Sequence, residues 1–172
     1  GSFIAILLVA LYLVQTTLTQ AEKVNDQLNN VHLPSLAACR NLLLSIEESL
    51  ELSKQWAFVQ RNEDHIERRK FIELIDKTIP AQLHIIDSLK NHWNEEQRME
   101  STWIKQEWDT LNHHYSELRL TLNSFDSYND PFKVIQAEDL FLEGKGIPKK
   151  ILRLQYLLRD QLDHFYIHIK RE

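Results

Sequence analysis

The side chains equipped for chemistry in this sequence are eight histidines, one cysteine, four tryptophans and a scatter of arginines. His164 and His168 are four apart and share a helix face, the spacing of paired metal ligands. No third ligand is placed by spacing to complete a site. HExxH and the Glu-x-x-His pair of di-iron proteins are both absent. His113 and His114 are adjacent, so on a helix they point about 100° apart and do not chelate as a pair. His65, next to Asp64, reads as turn surface. No metal site is expected. Cys39 falls on an apolar stripe, where a free thiol behaves as an inert small hydrophobe. Ser45, Ser49 and Ser53 recur at helical spacing and suit close helix packing. Glu47-Glu48 and Glu95-Glu96 read as solvated faces and helix-end charges. No nucleophile–base pair emerges, so neither an enzyme nor a cofactor is expected in this region.

Binding has better candidates. Trp56, Trp93, Trp103 and Trp108 offer large amphipathic surfaces. Arg61, Arg68 and Arg69 cluster near a predicted turn, and Arg153 is expected to open the last helix at that same end. Arginine forks suit carboxylate or phosphate groups. The candidate ligand-binding set is therefore Arg61, Arg68, Arg69 and Arg153, with Trp56, Gln82 and Trp93 as a second location between helices. The plain alternative is solubilising charge around a loop. Gln82, polar within an apolar series, has a second role open to it as a register-setting residue.

These side chains must be positioned by helices. The sequence has 3 glycines, and none lies between positions 2 and 143. Sheet proteins draw on glycine for tight turns of positive φ, so a sandwich, barrel or doubly wound sheet is disfavoured. Phosphate loops of the GxGxxG and GxxxxGK[ST] types are absent. With 20 basic and 25 acidic residues the net charge is -5, which provides no drive toward nucleic acid. A single cysteine excludes an intrachain disulfide and a CxxC pair.

The first long helix is expected from about Glu22 to Gln60. Val24, Leu28 and Val31 open its stripe, and Leu36, Cys39, Leu43, Ile46 and Leu50 continue it at heptad rhythm. Pro34 should kink it. A turn is expected at residues 61–65. A second helix follows to Trp93, with Ile72, Ile75, Ile79, Ile86 and Leu89 in phase, Gln82 in the same series and a kink at Pro80. A turn near Asn94 is expected in preference to one continuous helix. The third helix carries Ile104, Trp108, Leu111, Tyr115, Leu118, Leu122 and Phe125 at alternating spacings of four and three. After the turn signal Ser127-Tyr128-Asn129-Asp130-Pro131 comes a short helix to Leu142, then a break at Gly144-Lys145-Gly146. The last helix starts near Pro148 with Ile151, Leu154, Leu158, Leu162, Phe165 and Ile169. The expected fold is all-α: an elongated antiparallel four-helix bundle, its core about 45 Å long at 1.5 Å per residue.

Residues 3–14 form an uncharged apolar run. A signal-peptide h-region lacks its basic flank here, and a core helix would need a polar face. The expectation is the outer part of a truncated transmembrane helix over residues 1–14, with a cloning scar at positions 1 and 2 and a single domain over 15–172. Four passes return residue 172 to the end where residue 15 begins, so both ends can meet one membrane. The aromatic-rich C-terminus, His164 to Glu172, suits a membrane interface.

Several segments carry a resemblance: the span-like helix running into Leu33-Pro34-Ser35-Leu36, then Glu47 to Trp56, Ile79-Pro80, Trp93, and Leu122 to Pro131. Over about residues 15–172 the chain resembles the extracytoplasmic four-helix-bundle sensor domains of bacterial two-span receptors, of chemoreceptor and histidine kinase type. The resemblance implies a periplasmic or extracellular domain that forms a homodimer and binds a small anionic ligand. It also implies signal transduction through the first and last helices, and it implies no catalytic residue. A rival reading is a secreted or single-span-anchored helical bundle that serves as a protein–protein interaction module.

Overall fold

A computed structural model of the chain describes residues 2–59, 65–141 and 146–171, with backbone alone at 2, 141, 165, 166 and 168–171. The described residues form helices and no strand, as the glycine-poor sequence implies. Helix α1 spans Ser2–Gln27 and α2 spans Leu33–Phe58. Helix α3 spans Ile66–Glu73, α4 Ile79–Leu89, α5 Glu95–Thr121, α6 Pro131–Phe141 and α7 Ile147–Arg171.

The two mid-helix prolines break nothing. A turn of π-helix, Leu28–His32, joins α1 to α2, and another, Leu74–Thr78, joins α3 to α4. In each case the residue before the proline reaches back five positions: the Leu33 amide donates to the Leu28 carbonyl, and the Ile79 amide to the Leu74 carbonyl. A proline offers no amide, and its ring crowds the carbonyl four residues back. The wider π turn relieves that crowding and keeps the rod continuous. The helix therefore runs unbroken from Phe3 to Phe58.

The turn expected near Asn94 is present, and its cause is a capping box. Asn94 Oδ1 accepts from the Gln97 amide at 2.9 Å, and Gln97 Oε1 accepts from the Asn94 amide at 3.0 Å.

The helices alternate in direction. Trp93 Nε1 donates to Ser35 Oγ at 2.9 Å, while Trp56 packs on Phe71, so α2 and the α3–α4 rod are antiparallel. Ser49 and Tyr115 hydroxyls are 3.1 Å apart and Trp56 Nε1 donates to the Leu122 carbonyl at 3.0 Å, so α5 runs with α2. Helix α7 returns against α5: Lys150 stacks on Trp103, and Gln97 Nε2 donates to Gln161 Oε1 at 2.7 Å. Helix α6 packs on α2 and α5, with Ala137 fully buried. Helix α7 also packs on the Leu28–His32 turn, so α1 and α7 leave the core at the same end.

A file of aromatic rings fills the centre. Centroids lie 5.5 Å apart for Trp56–Phe71, 4.9 Å for Phe71–Tyr115 and 6.2 Å for Tyr115–Trp108, with tilted or edge-on planes. Ser35, Ser45, Ser49 and Ser53 are buried along α2, where small side chains let neighbouring helices approach. Burial pushes the Cys39 thiol up to about 12, which keeps it an unreactive thiol.

Three sequence expectations are corrected. Leu36, Leu43 and Leu50 are half-buried flanks, and Ser35, Leu42 and Ser49 point inward, because α2 is covered on two sides. Leu83 is buried and Gln82 is only half-buried, because between the buried Ile79 and Ile86 the inward place falls four residues after Ile79 and not three. Phe125 is half-exposed, because α5 ends at Thr121 and Phe125 opens a short 3-10 turn, Phe125–Asn129. The turn at residues 61–64, the break at 142–145 and the side chains of Phe165, His168 and Ile169 lie outside the described residues.

Leu118 is buried in the α5 core, whereas Glu96 is exposed and pairs with the exposed Arg153. Leu118→Ala should cost about 2–5 kcal/mol through lost transfer energy and a cavity. Glu96→Ala should cost under about 1 kcal/mol. Urea unfolding of both variants checks the register, and equal losses would mean that it is wrong.

Candidate functional site

A buried charge whose hydrogen bonds are only partly satisfied lies where α2 ends, α3 begins and the Phe125–Asn129 turn crosses them. Each element has a local cause. Helix α2 stops at Val59, which takes an extended conformation. His65 caps α3, its ring nitrogen accepting from the Glu67 amide at 3.4 Å. The Ser124 and Ser127 hydroxyls close a capping box around the short 3-10 turn.

Arg68 sits at the meeting point and is 3% exposed. Its guanidinium carbon lies 4.3 Å from the Trp56 ring centroid and 5.5 Å from that of Tyr128. Arg68 Nη2 donates to the Tyr128 hydroxyl, which in turn donates to the Trp56 carbonyl. Stacking uses the guanidinium face and leaves the N–H edges to find partners of their own. Arg68 Nε and Nη1 are buried and have no hydrogen-bond partner among the described residues, and the same holds for Gln55 Oε1. Buried polar groups without partners are rare and costly. Leu52, Gln55, Trp56, Val59, Glu67 and Arg68 line a small cleft here, with room for about one water-sized group in its depth.

The other expected ligand-binding residues are not brought to this place. Arg61 lies outside the described residues. Arg69 is exposed on the same helix. Arg153 was expected at the Arg68 end, and the structure corrects this. Arg153 pairs with Glu96 at 3.1 Å and with the buried Glu100 at 3.6 Å, beside the first turns of α5. The reason is that α6 fills the space beside the upper part of α5, so α7 begins only about halfway down it. Trp56 and Trp93 cap opposite ends of the core, with Gln82 between them. Gln82 Oε1 is buried without a partner among the described residues. No group of three or more metal-ligating side chains occurs among the described residues.

Sequence reasoning passed over Tyr128, Gln55 and Gln97. Tyr128 was hidden inside a turn signal. Gln97 was detectable, because Asn94-x-x-Gln97 is a capping-box pattern. Gln97 is fully buried, and besides the cap it reaches the Leu157 carbonyl at 3.3 Å. It fastens α7 to the start of α5.

A second titratable feature sits at the opposite end. His32 is buried in the π turn, and desolvation holds its imidazole below the ordinary value of 6.5. A histidine depressed by folding favours the neutral form. Its contribution is complete above pH 6.5 and is lost as pH falls through the folded value. The melting temperature should therefore fall as pH drops from about 7 toward 5, and His32→Gln should flatten that fall. Calorimetry at matched pH values tests this, and an identical slope in the variant would remove His32 from the account.

Tyr128→Phe deletes the hydroxyl that links Arg68 to the Trp56 carbonyl. It should cost about 1–3 kcal/mol, because both partners stay buried without it. Chemical denaturation measures the loss, and an unchanged midpoint would show that the relay contributes nothing.

Compared with family models, curated proteins and solved structures, this chain matches none, so a functional reading stands on the geometry alone.

Proposed function

We propose that the chain is the extracytoplasmic sensor domain of a membrane signalling receptor, built as an antiparallel four-helix bundle. In this reading α2, the α3–α4 rod and α5 are three of the helices, and α6 and α7 share the fourth position. The domain stands on the membrane through α1, works as a homodimer and passes a change in helix arrangement through its first and last helices. It carries no catalytic group of its own.

One observation carries this reading: α1 is long and apolar enough to cross a membrane, is nowhere covered in its apolar window, and continues without a break into the core helix α2. At 26 residues α1 is about 39 Å long, against a hydrocarbon core of about 30 Å. The first charged residue is Glu22, so the uncharged stretch is longer than the apolar run alone. Support also comes from α7, which returns to the end from which α1 departs. The rival reading, an anchored interaction module, draws on Phe132 and Ile135, which stand exposed on α6.

The test is reconstitution in phospholipid vesicles. The full chain should remain with the vesicles after carbonate washing, and removal of residues 2–21 should release it with its melting temperature nearly unchanged. A fluorophore at position 24 or 164 should be quenched by spin-labelled headgroups, while one at position 120 should not. Equal quenching at all three positions would mean that the helices lie on the bilayer, and the upright sensor reading would fail.

A further inference from the structure

The geometry points to a carboxylate-binding site at Arg68, in the cleft between the end of α2 and the start of α3, that takes a small monocarboxylate with a short apolar tail. This goes beyond the anchored-sensor reading and does not depend on it.

Three features select that chemistry. The first is the charge of Arg68, which is almost wholly buried and is held by stacking on Trp56 and a single donation to Tyr128. Two of its three nitrogens have no partner among the described residues. A buried cation with free donors is stabilised most by an anion that accepts hydrogen bonds, and a carboxylate oxygen does both. The second is size. The cleft admits about one water-sized group in its depth, which suits a single carboxylate oxygen aimed at Arg68 and leaves no depth for a whole sugar or nucleotide. The third is the wall. Leu52, Trp56 and Val59 face the same space, so the part of the ligand behind the carboxylate meets apolar surface.

The two remaining lining residues shape the affinity. Gln55 Oε1 is an acceptor without a partner among the described residues, and it suits the protonated or hydroxyl edge of a ligand rather than a second anion. Glu67 places a carboxylate on the same cleft, with Oε2 3.6 Å from His65 Nδ1. Its charge opposes that of the ligand, so binding is weak and is tuned by position 67.

The experiment uses the full chain in detergent, with sodium acetate, propionate and butyrate as probes and sodium chloride at equal ionic strength as the reference. Acetate at ten times its dissociation constant should raise the melting temperature by about 3–5 °C above chloride. Propionate should bind more tightly than acetate by at most about fourfold, the limit for one fully buried methylene. Glu67→Gln should bind acetate several-fold more tightly. Arg68→Lys should lose the response, and in case that variant folds poorly, Gln55→Glu provides a second test. Gln55→Glu places a carboxylate beside Arg68, so it should melt higher than the parent chain and no longer respond to acetate. No rise over chloride in the parent chain overturns the proposal, as does a Gln55→Glu protein that responds like the parent. Tail-independent affinity overturns the assignment of the apolar wall. Vesicle anchoring is measured separately, so either result leaves the other standing.

Discussion

A proline inside a helix withholds one amide and pushes against the carbonyl a turn below, and this chain places two prolines where its longest helices must stay continuous. Everything else in the arrangement follows from how they are absorbed. At Pro34 and Pro80 the chain spends one extra residue in a π turn, and the amide of the preceding leucine or isoleucine reaches five residues back. The gain is continuity. Without the first π turn, α1 would be a separate element hinged on the core. With it, the uncovered apolar end and the packed α2 are one rod. Without the second, α3 would be an isolated helix of 8 residues, too short to hold itself. With it, α3 is the upper end of the rod that sets Arg68 against Trp56.

Local rhythm decides what could be read from the sequence. The helices themselves were legible, since glycine is absent over most of the chain and apolar residues recur at threes and fours. On α5, where no π turn intervenes, Ile104, Trp108, Leu111, Tyr115, Leu118 and Leu122 are all buried as their spacing requires. On α4 the stripe was misread at one place, because steps of three then four and of four then three both connect Ile79 to Ile86: Gln82 lost its position to Leu83. The site was only partly legible. Arg68 and Trp56 were singled out by residue type, and the structure brings them together. Tyr128 belongs to a turn 60 residues further on, and no local pattern announces a partner at that distance. Arg153 was misplaced because helix count alone does not tell where along a neighbour a helix begins.

The two ends of the core are held by different chemistry. At the α1 end, Gln97 closes the cap of α5 and reaches across to Leu157 and Gln161, while Arg153 meets Glu96 and the buried Glu100. The Gln97 amide accepts through its oxygen and donates to two groups of α7, so α7 is fastened there. At the other end Arg68 is held mainly by aromatic faces and one hydroxyl, and its hydrogen-bonding capacity is not used up. A fully satisfied network fixes a position, whereas a partly satisfied one leaves free energy to be gained by a group that completes it.

In the proposed reading, that asymmetry gives the molecule a direction. Trp56 lies on α2, stacks under Arg68 and donates to the Leu122 carbonyl, so it joins α2 to α3 and to the end of α5. A group that completes the hydrogen bonds of Arg68 changes the balance between stacking and donation, and Trp56 is the first side chain to feel it. From Trp56 to the Leu28–His32 turn the path is one helix, about 40 Å at 1.5 Å per residue. A helix of that length transmits rotation and translation far better than bending, since its hydrogen bonds resist both stretching and unwinding. The π turn at its lower end is the place where a small change can be accommodated, because shifting one residue between π and α geometry turns the following helix by about 100°. His32 is buried in that turn, and α7 packs against it. A change at the Arg68 end would therefore be expressed as a change in how α1 and α7 leave the core together.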